Sequence, residues 1–324
     1  MSTTTAAPAK GSAKWRPRVT MEAAFVPGLL VVLLIILSLA SPVFFSSRNF
    51  GQILVQASTL GMVAVGATYV IIAGDLDLSI GANVALSGVM TAIAMAQWNL
   101  PWVAGVGVGI GCGLIIGILN GLLSAYLRVA AFIATLGTGV VATGIAVYLT
   151  KGLTIAGLPD VFGDLAKARI LGLQALVWWM LGIFVIGGII LHFTNYGIRV
   201  FAVGGNRDAA YLAGIPVART RLIAFVIAGF TGGIAGVLLT ARVQAGQPGI
   251  SQTLTLYATA AVILGGTSIL GGQGSLLRTF FGILLIAVVQ NGLDILGVDY
   301  ALQQVAVGTV FILAACSEAL RRRR

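Results

Sequence analysis

Asp75 and Asp77 stand two residues apart in Gly74-Asp75-Leu76-Asp77-Leu78-Ser79, between two strongly apolar stretches. Carboxylates at such a depth are costly, and they face a cavity, a partner or a gate. Three chemistries suit the pair. The carboxylates can hydrogen-bond the hydroxyls of a neutral polyol, they can hold a gate through neighbouring helices, or they can bind a proton or cation. A structural reading stands beside these, with Asp77 capping the helix that follows by accepting backbone N–H groups. Gly74 breaks the apolar run and Ser79 opens the next, so Gly74, Asp75, Asp77 and Ser79 together mark a helix break.

A second break carries no charge. Val262-Ile263-Leu264-Gly265-Gly266 before Thr267 parallels Val70-Ile71-Ile72-Ala73-Gly74 before Asp75, and Asn120-Gly121-Leu122 recurs as Asn291-Gly292-Leu293. Duplicated halves with broken helices near the substrate path are a transporter signature, so the parallels suggest an internal duplication with Gly266 and Thr267 at the second break. Gln244, Gln247, Asn291 and Gln303 are neutral hydrogen-bonding groups suited to lining the outer mouth of a path for an uncharged polyol.

The elements that must position these residues are membrane helices. Hydrophobic residues make up 58% of the 324 positions and charged residues only 9%, against about 25% charged in soluble domains. Spans of roughly 20 apolar residues are predicted at 24–45, 50–73, 79–98, 101–127, 130–150, 171–193, 221–241, 252–266, 276–297 and 300–318. The fold expected is all-α, with one transmembrane domain over 23–320 after a disordered basic tail over 1–22. With the tail inside, 14 of the 19 Lys and Arg residues fall in inner segments and 5 in outer ones. That asymmetry supports ten spans with both termini cytoplasmic.

The net charge of +10 is explained by that placement, so nucleic acid is not an expected partner. No Gly-Lys dipeptide and hence no Walker A motif occurs, so any ATP hydrolysis belongs to another chain. Cys112 and Cys316 lie far apart in apolar segments, and His192 is the only histidine. These give no metal-ligand spacing and no catalytic set.

The inner loop 194–220 holds the other candidate element. Asn206 is a good N-cap, Asp208 suits the positive end of a helix dipole, Gly214 suits the left-handed C′ position, and Pro216 prevents continuation. The helix between them is too short to be stable alone. Ala209, Leu212 and Ala213 share one face, a small apolar surface that a groove on a partner can grip. Arg199, Arg207, Arg219 and Arg221 surround it. An interfacial helix carrying ordinary inner-loop charge is the competing reading.

From about residue 50 to 318 the chain resembles the membrane permease of ribose-type sugar ABC importers. Four motifs in order carry the resemblance: Gly74 to Gly81, Ala131-Phe132-Ile133-Ala134-Thr135-Leu136-Gly137, Ala202 to Asn206 with Ala213-Gly214-Ile215, and Leu264 to Ser268 with Gly271-Gly272-Gln273-Gly274-Ser275. The resemblance implies a bacterial inner-membrane protein that binds no cofactor itself. Two permease copies or paralogues would form the pore, a cytoplasmic ABC ATPase would hold ATP and Mg, and an extracytoplasmic binding protein would deliver the sugar. Asn206, Arg207, Asp208, Ala209, Leu212, Ala213 and Gly214 would form the ATPase-coupling helix. Two departures stand out: Asp75 replaces a glycine usual in the family, and Thr255 and Tyr257 stand where acidic residues are common. They put ribose itself in question as cargo without naming another. The alternative function is an ion-coupled secondary transporter using Asp75 and Asp77.

Overall fold

The structure, a computed structural model, describes residues 21–249, 251–299, 301–309 and 312, without the side chains of 21–24, 251 and 252. Residues 1–20 of the tail predicted over 1–22, Cys316 and the basic carboxyl end lie outside the described residues, while Met21 and Glu22 open the first helix. The chain is built of α1 (Met21–Ala40), α2 (Ser47–Ile72), α3 (Ile80–Ala96), α4 (Trp102–Gly121), α5 (Ala131–Thr150), α6 (Asp160–Lys167), α7 (Ala175–Phe193), α8 (Asn195–Gly205), α9 (Arg207–Leu212), α10 (Val217–Val243), α11 (Ser251–Leu264) and α12 (Leu276–Ile295). Residues 301–309 are helical as well.

Six of these, α2, α4 with its extension to Tyr126, α5, α7, α10 and α12, are long and apolar enough to cross a membrane. The apolar helices over Phe25–Ala40, Ile80–Ala96 and Thr253–Leu264 are shorter. About half of the tenth predicted span, 300–318, lies outside the described residues. The structure thus supports a polytopic helical protein but not, by length alone, the count of ten. Two local differences appear on the expected outer loop. Residues 160–167 form α6, and Arg169–Ile170 pairs antiparallel with Leu173–Gln174 as a two-residue β-hairpin. Span six therefore starts at Ala175 rather than 171, because the hairpin takes up its first residues.

Burial separates centre from periphery. The apolar window of α2 is 94% buried, against 28% for α4, α5 and α7, so α2 sits in the middle while those three turn most of their surface outward. Helix α3 is buried at nearly every position, packed among α4, α5, α10 and α11. Tight approach depends on small residues. A Cβ on Gly113 would fall 2.6 Å from the Gly229 carbonyl, and one on Gly117 2.5 Å from the Phe225 carbonyl. That spacing lets α4 lie directly on α10.

Candidate functional site

Both helix breaks end with the same backbone device. At the first, Gly74 N–H donates to the Ile71 carbonyl and Asp75 N–H to that of Val70; at the second, Gly266 donates to Ile263 and Thr267 to Val262. This is the Schellman stop, which needs a left-handed residue at C′, and Gly74 and Gly266 have φ of +80° and +81°. The sequence parallel is therefore a structural one at these two stops. The stretches then meet. Gly272 N–H donates to the Ile72 carbonyl at 2.9 Å, and Gly204 of α8 lies so close that a Cβ there would fall 1.7 Å from the same carbonyl oxygen.

Asp75 is the charged centre of this junction. Its Oδ2 accepts from Arg221 Nε at 2.6 Å, and its Oδ1 accepts from Arg221 Nη2 at 2.9 Å and from Arg207 Nη2 at 2.9 Å. The same Arg207 nitrogen donates to the Gly74 carbonyl at 2.7 Å. The side chains of Asp75 and Arg221 are 5% and 10% exposed, while that of Arg207 is 43% exposed. The fork of Arg221 fits a carboxylate in two-point fashion, and the cost of burying Asp75 is offset by two guanidinium groups. With both oxygens occupied, Asp75 is poorly placed to bind a transported cation.

Asp77 does something different. Its Oδ1 accepts from Ser79 N–H at 2.8 Å and from Ser79 Oγ at 2.6 Å, a turn two residues long placed just before α3. It thus shapes the entry to α3 rather than capping the helix itself, since Ser79 is the N-cap. The network continues outward from Ser79. Asn120 of α4 donates to Ser79 Oγ at 2.7 Å, and Thr138 of α5 donates to Asn120 Oδ1 at 2.6 Å. Thr135 of α5 accepts from Leu78 N–H at 3.0 Å, and Thr255 of α11 accepts from Gly81 N–H at 2.9 Å. Residues 74–81 are thereby tied to α4, α5, α9, α10 and α11. Thr267, the counterpart of Asp75, has a buried hydroxyl with no hydrogen-bond partner among the described residues.

The short helix forms as its capping residues dictate. Asn206 Oδ1 accepts from Ala209 N–H at 2.9 Å, Gly214 has φ of +77°, and Ile215 N–H returns to the Ala210 carbonyl. Ala209, Leu212 and Ala213 are exposed, Leu212 at 84%, whereas Ala210 faces inward at 4%. Asp208 sits in the first turn. The helix is stabilised from below, with Arg207 as its tether to the first break.

The four residues assigned to an outer mouth do not converge with the breaks. Gln244 has its side-chain amide on the Ala241 carbonyl, near Gln247 and the Gly246 pairing with Ile155. Gln303 donates to Asp294 and to the Val298 carbonyl. Asn291 and Asn49 exchange amide hydrogen bonds at 2.9 and 3.0 Å, a buried clasp between α12 and α2. Sequence reasoning missed Arg221 as the chief partner of Asp75, although a carboxylate at depth demands a nearby cation. It also missed Asn120, Thr135 and Thr138, polar residues on apolar helices.

Near this junction lies an open groove of about 520 Å³. Leu136, Val140 and Thr143 of α5 and Thr255 and Leu256 of α11 line it, together with Leu78 and Ala82. Leu78 is three residues from Asp75, so the groove and the ion-pair centre share one short segment.

Comparison with known proteins places these features. A family model described as branched-chain amino acid transport system / permease component matches residues 49–315. The ribose import permease protein RbsC of Bacillus subtilis (strain 168) is 39% identical over 88% of this chain and 89% of its own length. The L-arabinose transport system permease protein AraH of Escherichia coli (strain K12) is 35% identical over 91% of each chain. The probable ABC transporter permease protein YphD of the same strain is 38% identical over 92% of this chain and 90% of its own length.

Proposed function

This chain belongs to the family of branched-chain amino acid transport system / permease components, and from that premise we propose that it carries a monosaccharide or closely related polyol through the bacterial inner membrane. Relatives named for ribose and arabinose support the cargo class. The motive force is ATP, hydrolysed with Mg on a separate cytoplasmic ABC ATPase, and an extracytoplasmic binding protein delivers the sugar. In this reading the chain has ten spans and both termini inside, and a second copy or a paralogue completes the pore.

One observation carries the mechanism: Arg207 of the docking helix and Arg221 of α10 hold the same carboxylate. Movement of α9, gripped on Ala209, Leu212 and Ala213 by the ATPase, reaches Asp75 and the Gly74 carbonyl through Arg207. Leu78, farther along that segment, borders the groove between α5 and α11. The segment thus converts displacement of the docking helix into opening or closing of the groove's end. Thr143 supplies a hydroxyl there for weak, transient contacts.

The test is uptake of radiolabelled ribose and arabinose into proteoliposomes holding the chain with its ATPase and binding protein. Vanadate-sensitive uptake that requires ATP is expected. Uptake that needs no ATP and collapses with the ion gradient would establish the secondary-transporter alternative instead.

A further inference from the structure

We propose that this chain holds an anionic phospholipid of the inner leaflet between the α4–α5 turn and the docking loop. The inference rests on the membrane orientation given above, but not on the cargo or on the gating scheme. A cavity of about 900 Å³ lies there, and four arginines and two aspartates line it, a formal excess of two positive charges. Arg207 and Arg221 are committed to Asp75. Arg128 and Arg219 are exposed and form no ion pair among the described residues, which leaves two guanidinium groups for an incoming anion.

The turn that presents Arg128 is built unusually. Residues Leu122–Tyr126 leave α4 as a single π-helical turn, a device that accumulates at functional sites, and Arg128 itself is left-handed with φ of +58°. Ser124, within that turn, lines the cavity and is 1% exposed, and its buried hydroxyl has no hydrogen-bond partner among the described residues. A buried hydroxyl normally finds one. A phosphate oxygen between Arg128 and Arg219 would supply it.

The surroundings favour a lipid as the source of that phosphate. Tyr126, which lines the cavity, is 52% exposed, as befits the interfacial belt, and its neighbour Leu127 is 69% exposed. An apolar groove of about 820 Å³ starts at Leu123 and Ile133 and runs between α4 and α5 past Leu119, Ile115 and Val141. It offers an acyl chain a bed beside the headgroup cavity. Basic pockets at the cytoplasmic ends of membrane helices recognise lipid phosphates in this way.

The full chain, purified in detergent, would be titrated with phosphatidylglycerol and, as a zwitterionic control, phosphatidylcholine, with bound lipid counted by native mass spectrometry. Phosphatidylglycerol is expected to bind about tenfold more tightly. The pair Arg128→Gln and Arg219→Gln should weaken it by roughly thirtyfold, and Ser124→Ala by about threefold, with ATP-dependent uptake retained. Equal affinity for the two lipids, or an unchanged affinity in the double variant, overturns the proposal. So does displacement by millimolar inorganic phosphate, which would mark a soluble-anion site. Loss of ATPase association with lipid affinity intact assigns the surface to the ATPase and overturns it as well. If the double variant misfolds, Ser124→Ala decides, and an unchanged ratio of the two affinities rejects the site. None of these outcomes touches the transport reading, which uptake tests separately.

Discussion

The two helix breaks share a backbone and differ in chemistry. Each closes a helix with a glycine near φ +80° and the same pair of returning hydrogen bonds. Past the glycine, one continues with a carboxylate held by two arginines, and the other with a threonine whose hydroxyl finds no partner among the described residues. Stopping a helix therefore needs only the glycine. The charge at the first break serves another purpose: through its partners on α9 and α10 it ties those two helices to the break.

The largest expected effect comes where the two breaks touch. Gly204→Ala would force a Cβ to within 1.7 Å of the Ile72 carbonyl and 2.5 Å of Gly272 N. We expect a loss of more than about 3 kcal/mol, read as failure to extract a monodisperse protein. A well-behaved variant would mean that the breaks are not packed together as described.

Next is the carboxylate itself. Asp75→Asn leaves Arg221 buried against a neutral amide, and removing one partner of a buried pair costs about 3 kcal/mol. Thermal stability in detergent should fall accordingly, and uptake should fall more than tenfold. The exposed Arg207 contributes the smaller share of the stability loss, because solvent screens it.

Gly74→Ala and Gly266→Ala sharpen the comparison from the other side. An added Cβ meets nothing nearer than 3.5 Å at either position, so each variant bears only the strain of a left-handed alanine, about 1 kcal/mol. Equal thermal shifts are expected. Markedly unequal shifts would deny that the two stops are the same device.

Thr267→Val should produce the smallest change. Removing a buried hydroxyl that has no partner is neutral or stabilising by up to about 1 kcal/mol, with uptake within about twofold of the parent. A large loss would give Thr267 a role of the kind that Asp75 has.

How much of this was legible in the sequence depends on the range of the interaction. The short helix α9 could be read almost residue by residue, because Asn206, Gly214 and Pro216 act on backbone within a few positions of themselves. Both glycine stops were legible for the same reason, and the parallel between Val70–Gly74 and Val262–Gly266 was real at the level of hydrogen bonds. The pairing of Asp75 with Arg207 and Arg221 was not legible, since it spans 132 and 146 positions and follows from how α9 and α10 pack. Asn291 shows the converse. Its type suggested a polar lining, but packing of α12 on α2 set it against Asn49. The short α3 and α11 also blurred the span count, because a helix that starts or ends at a break need not be as long as the membrane is thick.

The most direct test of the tie between α9 and the first break is a double-mutant cycle on the reconstituted complex. Sugar transported per ATP hydrolysed would be measured for the parent, Asp75→Asn, Arg207→Gln and the double variant. If Arg207 acts through Asp75, the double variant should be no worse than Asp75→Asn alone, with a coupling energy of about 1 kcal/mol or more. Strictly additive losses, or an unchanged ratio in Arg207→Gln, would contradict the account.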